Sequence, residues 1–99
     1  MPAYVIANAE VFDPTVFAEY VKAAPAVITS QGGIYLARGG AIDVLEGEWS
    51  PTRLTILKFE SMAQAKAWHD SPEYRALREI RNRAAKSKFV IVDGLQAAR

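Results

Sequence analysis

The sequence predicts an α+β fold of the ferredoxin-like type, a βαββαβ sandwich with one extra hairpin strand. Two helical patterns with capping signals separate short segments rich in β-branched and aromatic residues. Those segments are apolar on both alternating faces, which is typical of a sheet buried on both sides. Two helices cover only one face of such a sheet. We therefore expect a homodimer, a dimeric α/β barrel in which two copies pack through their open sheet faces.

The first third of the chain predicts a strand followed by a long helix. "AYVIANAEV" (3–11) is rich in β-forming residues. Asp13 is a good N-cap, and Pro14 suits the first helical position because its missing N–H costs nothing there. A kink is expected at Pro25, because proline has no N–H to donate to the Val21 carbonyl.

The middle of the chain predicts two strands and a short return strand between them. The Gly-Gly pair at 32–33 ends the helix, and a strand follows over 34–40. A second Gly-Gly turn leads into the return strand over 41–47. After a loop, the next strand covers 53–60.

The last third predicts a broken helix and a final strand. Ser61 opens a Ser-x-x-Gln capping box, and Ser71 with Pro72 restarts the helix. The closing strand is predicted over 88–94. The remaining five residues, through Arg99, are predicted to form a loose tail.

Composition limits the functional classes. Ninety-nine residues, 51% of them hydrophobic, predict one domain over 1–99. A net charge of +1 gives no general attraction for nucleic acid or an anionic membrane, so neither partner is predicted. The chain has no cysteine and one histidine, so no metal site and no cofactor are predicted. With no signal peptide or membrane-spanning run in the sequence, we expect a cytoplasmic protein.

Arg81 is the first candidate site residue. On a helical wheel it falls within the apolar arc, between Leu77 and Tyr74. An arginine on such a face needs an acceptor, because an unpaired buried charge costs several kcal/mol. Two alternatives stay open: it pairs with a carboxylate such as Glu46 or Asp93, or it holds an anionic ligand.

His69, next to Trp68, is the second candidate. A lone histidine can act as a general base, a haem ligand or a pH switch. It can equally be a solvated residue whose positive form suits a helix C-terminus. If the protein is an enzyme, Arg81 and Arg38 hold a carboxylate or a developing oxyanion, and Tyr74 or His69 moves the proton.

Further polar residues stand within or beside the strands. Arg38 and Arg53 can form a clamp for a carboxylate or phosphate. They can also be salt-bridged to Glu46 and Glu48 at the edge of the sheet. Asn8 lies on the first strand.

At this point the sequence resembles a bacterial family known as domain of unknown function 1330, within the dimeric α/β-barrel superfamily. The resemblance covers roughly residues 3–94 and implies the ferredoxin-like fold and the face-to-face dimer. It implies no activity. The motifs that carry it are "YVIANAEVFDPTVFAEY", "RGG" at 38–40, "LEGEW" at 45–49, "SPEY" at 71–74 and "VDG" at 92–94. The family's recurring polar positions match Arg38, Glu46, Arg53, Ser71, Tyr74 and Arg81.

The wider superfamily includes cofactor-free quinone-forming monooxygenases and haem-degrading monooxygenases. Asn8 and Trp68 resemble two residues of the haem-degrading group in placement. The haem-ligating histidine does not carry over, because Arg78 occupies its place by spacing from Trp68. Trp68 can equally be a core anchor.

Three functional hypotheses follow. The first is a small dimeric protein that binds a small anionic or aromatic molecule between sheet and helices and that, if it is an enzyme, acts as a cofactor-free isomerase or oxygenase. The second is a non-catalytic interaction or ligand-sensing module. The third is a haem-degrading or antibiotic-biosynthesis-type monooxygenase.

Overall fold

Four antiparallel strands and three helices make up the fold in the computed structural model, which describes residues 1–95. In chain order they are β1 (Ala3–Val11), α1 (Pro14–Ser30), β2 (Ile34–Arg38), β3 (Leu54–Phe59), α2 (Met62–Asp70), α3 (Pro72–Asn82) and β4 (Ala85–Asp93). This is the predicted α+β arrangement, with the second helical unit divided into α2 and α3. Most of the predicted loose tail lies outside the described residues.

The sheet has the strand order β2-β3-β1-β4, so β1 is central and pairs with β3 and β4. Ala7 of β1 lies opposite Thr55 of β3 on one side and Phe89 of β4 on the other. Because side chains alternate along a strand, these residues share one face of the sheet. That face carries the helices.

The start of α1 is fixed to the beginning of β4. The Asp13 carboxylate accepts a hydrogen bond from the Val16 N–H at 3.1 Å, as predicted for an N-cap. The backbone N–H groups of Phe12 and Asp13 both donate to the Ala84 carbonyl, at 2.9 and 3.1 Å. These contacts fix the position of the first turn of α1 relative to the start of β4.

Helix α1 continues through Pro25 to Ser30. Pro25 has no N–H for the Val21 carbonyl, and the Arg38 guanidinium supplies the missing donor through Nη2 at 2.5 Å. A side chain from β2 therefore repairs the hydrogen-bond gap in the helix. The same contact holds Arg38 against α1.

Serine caps start the other two helices, as predicted. Ser61 Oγ accepts from the Gln64 N–H at 3.0 Å, and Ser71 Oγ accepts from the Tyr74 N–H at 3.2 Å. Within the described part of the chain, no helix has the length and apolarity that crossing a membrane requires.

The extra strand predicted over 41–47 is wrong, because this segment has no strand structure. The Gly39 N–H still donates to the Leu54 carbonyl at 2.8 Å, and the chain then leaves the sheet with Gly39 at φ +66°. Beyond that point Val44 and Leu45 are exposed, so no apolar face holds the segment as a strand.

Strand β4 begins at Ala85, three positions before the predicted boundary at 88. The alternation in "AKSK" explains the difference. Ala85 is buried and Ser87 is partly buried, while Lys86 and Lys88 are exposed.

The core lies between the helices and the inner face of the sheet, and the outer face is uncovered. The largest fully buried side chains are Trp68, Tyr74, Phe59, Ile28, Leu57 and Val5. The molecule measures only 16 Å along its shortest principal axis, which corresponds to one helical layer on one sheet. Ile34 and Leu36 of β2 and Val90 and Val92 of β4 are exposed.

Gly33 allows α1 and β2 to meet closely. A Cβ atom at Gly33 would lie 2.7 Å from both Ile28 Cγ2 and Phe59 Cζ. We expect Gly33→Ala to lower the free energy of unfolding by about 1–3 kcal/mol, because those buried side chains must shift. Urea unfolding measures this. Gly40→Ala is the control: nothing lies within 4 Å of its Cβ position, so a change within about 0.5 kcal/mol is expected. Equal effects of the two substitutions would contradict the packing argument.

Candidate functional site

A cavity of about 40 Å³ lies between the inner face of the sheet and the helices. Its lining includes Ala7 and Ala9 of the central strand. Their short side chains leave space where larger residues would fill the core. The volume corresponds to roughly three water molecules, or roughly 90 Å³ of liquid.

The cavity wall is mainly apolar, with polar groups set into it. The polar and aromatic donors in the lining are Tyr20, Tyr35, Arg38, Arg53, Thr55, Trp68, Arg81 and Ser87. No aspartate or glutamate belongs to the lining within residues 1–95. Three guanidinium groups without a carboxylate favour an anionic occupant.

Three buried polar atoms of this lining have no hydrogen-bond partner among the described residues. They are Trp68 Nε1, Arg81 Nε and Ser87 Oγ. The first two are N–H donors and the third is a hydroxyl that can donate. Buried polar groups in proteins are almost always paired, so three exceptions among the residues that line one cavity mark this region as the candidate site.

Arg81 is buried, with 7% of its surface exposed, as its place in the apolar arc predicts. Its Nη1 donates to the Tyr74 hydroxyl at 3.0 Å, and its Nη2 donates to Asn82 Oδ1 at 3.3 Å. The guanidinium carbon lies 4.4 Å from the centre of the Phe89 ring. All of these partners are uncharged.

Neither predicted carboxylate partner is in place. Arg81 forms an ion pair with neither Glu46 nor Asp93, since the ion pair found in residues 1–95 joins Arg75 to Asp70. The alternative of structural pairing is therefore not realised within the described chain.

Tyr74 lies behind the cavity wall and contacts the cavity through Tyr20. The two hydroxyl oxygens are 2.6 Å apart, and Tyr20 lines the cavity while Tyr74 does not. Burial, and then the neighbouring Tyr20, raise the pKa of Tyr74 well above its usual range. Tyr74 therefore remains a neutral phenol, and its hydroxyl is linked to the cavity lining through Tyr20.

His69 does not line the cavity either. Its ring centre lies 5.7 Å from those of Trp68 and Tyr74, and its Nδ1 is 3.5 Å from Arg78 Nη1. Partial burial, and then the positive charges of Arg78 and Arg81, lower the pKa of His69. The structure thus places the imidazole outside the cavity, beside a cation.

Arg38 and Arg53 both line the cavity, on the side of β2 and β3. Arg38 lies over the Tyr35 ring at 4.9 Å, and Arg53 lies over the Phe17 ring at 5.4 Å. The alternative interpretation required salt bridges from these arginines to the glutamates at 46 and 48. Within residues 1–95 neither arginine forms one.

Asn8 and Glu46 lie away from this cavity. Asn8 Oδ1 accepts from the N–H groups of Thr52 and Arg53, at 3.0 and 3.1 Å, and so fixes the entry to β3. Its position in β1 alternates with Ala7 and Ala9, which places it on the outer face of the sheet. Glu46 is exposed in the irregular segment.

Sequence reasoning did not mark several of the lining residues as parts of a site, among them Tyr20, Ser87 and Phe89. Nothing in the spacing of Tyr20 within the first helix marks its hydroxyl as functional. Ser87 falls before the predicted strand boundary. The alternation of Ala85, Ser87 and Phe89 was the available signal, because it places the serine inward.

Comparison with known proteins places this geometry in context. The family described as "Domain of unknown function (DUF1330)" matches residues 2–95. Among curated proteins none matches the chain.

Solved structures share the fold. A protein of unknown function from Rhodopseudomonas palustris is 17% identical, with a TM-score of 0.78 over 97% of this chain and 84% of that one. SnoaB, a cofactor-independent oxygenase from Streptomyces nogalater, is 10% identical, with a TM-score of 0.67 over 97% and 95%. A dabb family protein with a ferredoxin-like fold from Mesorhizobium loti is 10% identical, with a TM-score of 0.69 over 96% and 98%. These similarities confirm the ferredoxin-like fold.

The environment of His69 predicts a low titration midpoint. Because the chain has one histidine, NMR of the ring protons reports it directly, and we expect a midpoint below 6.5. Arg78→Gln should raise the midpoint, since a cation that disfavours the charged ring is removed. Arg83→Gln is the control, because Arg83 is exposed and is not one of the charges that shift the pKa of His69.

The same shift predicts the sign of a stability change. The unfolded chain binds the His69 proton more readily than the folded one, so this contribution to stability is present above pH 6.5. It is lost as the pH falls through the folded pKa. A midpoint at or above 6.5 in the folded protein would contradict the assignment.

Proposed function

Because this chain belongs to the DUF1330 family, whose description assigns no activity, we propose its function from its own cavity. The protein binds a small anionic or aromatic molecule between the sheet and the helices, and it is suited to cofactor-free chemistry of the isomerase or oxygenase type. The observation that carries this proposal is that Trp68, Arg81 and Ser87, which line one cavity, each bury a polar atom without a hydrogen-bond partner within residues 1–95, where the lining also includes no carboxylate.

Arg81 supports the anionic part of the proposal. A buried cation whose protein partners are all uncharged stabilises a negative oxygen placed against it. Isomerisation through an enolate and oxygenation of a phenolate both develop charge on such an oxygen. The site would therefore stabilise the charged intermediate that these two reaction types share.

Tyr20 supports a role in proton transfer. Tyr74 accepts a hydrogen bond from Arg81, so its own proton can be directed to Tyr20 at 2.6 Å. The Tyr20 hydroxyl is then free to donate into the cavity that it lines. In this proposal Tyr20 takes the role that the sequence assigned to Tyr74 or His69, with Tyr74 as its positioning residue.

A ligand-sensing module would bind a molecule in the same cavity without converting it. Measuring whether the bound molecule is converted to a product distinguishes the sensor from an enzyme. The haem-degrading alternative finds no support in the geometry. His69 lies outside the lining, Asn8 and Trp68 lie on opposite faces of the sheet, and the cavity, with room for roughly three water molecules, is far smaller than a haem.

We also propose that the protein is a cytoplasmic homodimer formed through the outer face of the sheet. The exposed apolar side chains of β2 and β4 lie at its two edges, and Ile6 and Ile56 lie between them. An uncovered apolar sheet face is a liability in a monomer, whereas two such faces packed together bury each other.

Removing a lining donor should weaken binding. The probe is 4-hydroxybenzoate, a single-ring anion, followed by calorimetry and by Trp68 emission in a Trp49→Phe background, where Trp68 is the remaining tryptophan. We expect Arg81→Gln to lower the affinity about tenfold or more, since hydrogen bonds to charged groups contribute about 1.5–3 kcal/mol.

Ser87→Ala is the cleaner variant. Ser87 Oγ has no partner within the described chain, so its removal should leave stability unchanged while binding falls about fivefold. Arg83→Gln, on an exposed arginine, should bind normally. Absence of saturable binding to the wild type, or equal binding by all three variants, would refute the proposed site.

Placing a charge on the outer sheet face should break the dimer. Val90 is 59% exposed and lies opposite Ile6, so Val90→Lys would place a lysine from each copy within the interface. Sedimentation velocity should show a dimer for the wild type and a folded monomer for this variant. Ala76→Lys adds the same charge on the exposed surface of α3 and should remain dimeric. A monomeric wild type would contradict the proposed assembly.

A further inference from the structure

We propose that the occupant of this cavity is a single-ring aromatic carboxylate with a second oxygen opposite the carboxylate. The carboxylate lies against Arg38 and Arg53, and the second oxygen lies against Arg81 and Ser87. This inference rests on the proposed small-molecule site and names the class of molecule that the site takes.

The strand register places the two groups of donors on the same inner face of the sheet, towards its opposite edges. Arg38 of β2 lies opposite Thr55 of β3, and Thr55 lies opposite Ala7 of β1. Ala7 in turn lies opposite Phe89 of β4, over which the Arg81 guanidinium sits at 4.4 Å. The outermost strands of this row are three strand spacings apart, roughly 14 Å between backbones.

The next row of the sheet repeats the arrangement. The Ala9 N–H donates to the Arg53 carbonyl at 3.0 Å, and Ala9 lies opposite Ser87 of β4. In both rows an arginine lies on the β2–β3 side, an alanine lies in the centre, and a donor lies over β4. The ligand that matches this pattern is apolar in its middle and carries oxygen at both ends.

The shape and size of the cavity favour one flat ring. Its centre is floored by alanines, and the rings of Phe17, Tyr35 and Phe89 form part of its wall. Aromatic rings pack well against such surfaces in offset or edge-on geometry. A volume of about 40 Å³, room for roughly three water molecules, excludes a fused ring system, and a single substituted ring would also extend beyond the enclosed space to the exposed Arg38.

The positive charges of Arg38, in β2, and Arg53, directly before β3, assign the ligand carboxylate to this side of the cavity. These two guanidinium groups line the same cavity, and no carboxylate pairs with them within residues 1–95. Arg38 uses Nη2 on the Val21 carbonyl, which leaves most of its five N–H donors available. Two arginines beside each other suit a carboxylate, whereas the deep end offers one guanidinium and one hydroxyl for a single oxygen.

The test compares 4-hydroxybenzoate with 4-hydroxybenzamide, which has nearly the same shape without the charge. Calorimetry on the full chain gives both dissociation constants. We expect the wild type to prefer the carboxylate about tenfold or more. It should also prefer 4-hydroxybenzoate to 2-hydroxybenzoate, in which the two oxygens are not opposite.

The variant that isolates the clamp is Arg38→Gln combined with Arg53→Gln. Its preference for the carboxylate should fall to about twofold or less, while its affinity for the amide stays near the wild-type value. Retained amide binding also reports that the cavity is intact. If the double variant does not fold, Arg53→Gln alone is judged by the same ratio. Arg75→Gln, outside the cavity, should keep the full preference.

The outcomes separate this inference from the proposed function. If the wild type binds both probes equally, the carboxylate assignment is wrong and the small-molecule site stands. If neither probe binds, both proposals fail. If the double variant keeps the tenfold preference, the carboxylate lies elsewhere and the inference is overturned.

Discussion

The buried guanidinium of Arg81 is the interaction on which the rest of the structure depends. Burying a charge without a counter-ion costs several kcal/mol unless its donors are satisfied and its surroundings are polarisable. Here the charge is held by the Tyr74 hydroxyl, the Asn82 side chain and the face of Phe89. Tyr74 in turn bonds Tyr20 of α1, so one cation connects α1, α3 and β4. Its Nε has no partner within residues 1–95, and the Arg81 side chain lines the cavity.

The cavity and the buried Arg81 cation are related, because each lowers the stability of the empty protein. An apolar core of this size would be more stable if larger residues replaced Ala7 and Ala9, because unfilled space forfeits packing energy. The alanines instead leave room next to Arg81, Ser87 and Trp68, whose donors have no partner in the described chain. Both features lower the stability of the empty protein, and the ligand that we propose would compensate for both. Functional sites are where proteins retain such local costs.

Local signals in the sequence predicted the elements well, and long-range contacts account for the errors. The caps at Asp13, Ser61 and Ser71 act within three residues, so the sequence alone identifies them. Helical periodicity also predicted that Arg81 is buried. Which group pairs with its guanidinium depends on how α3 packs on β4, and periodicity does not give that packing. The return strand over 41–47 failed because strand formation needs a partner and a face to bury, which composition does not supply. Asn8 was assigned to the site since its strand was identified but its face was not.

Arg38 links a defect in a helix to the chemistry of the cavity. Pro25 leaves the Val21 carbonyl without its helical donor, and Arg38 is the group that pairs with it. A long, exposed arginine would otherwise sample many rotamers, and ordering it on a ligand would cost about 1 kcal/mol or more. The helix carbonyl fixes the guanidinium in advance at the rim of the cavity while leaving most of its donors free. Pro25, which by itself weakens α1, thus preorganises Arg38, the arginine that we assign to the ligand carboxylate.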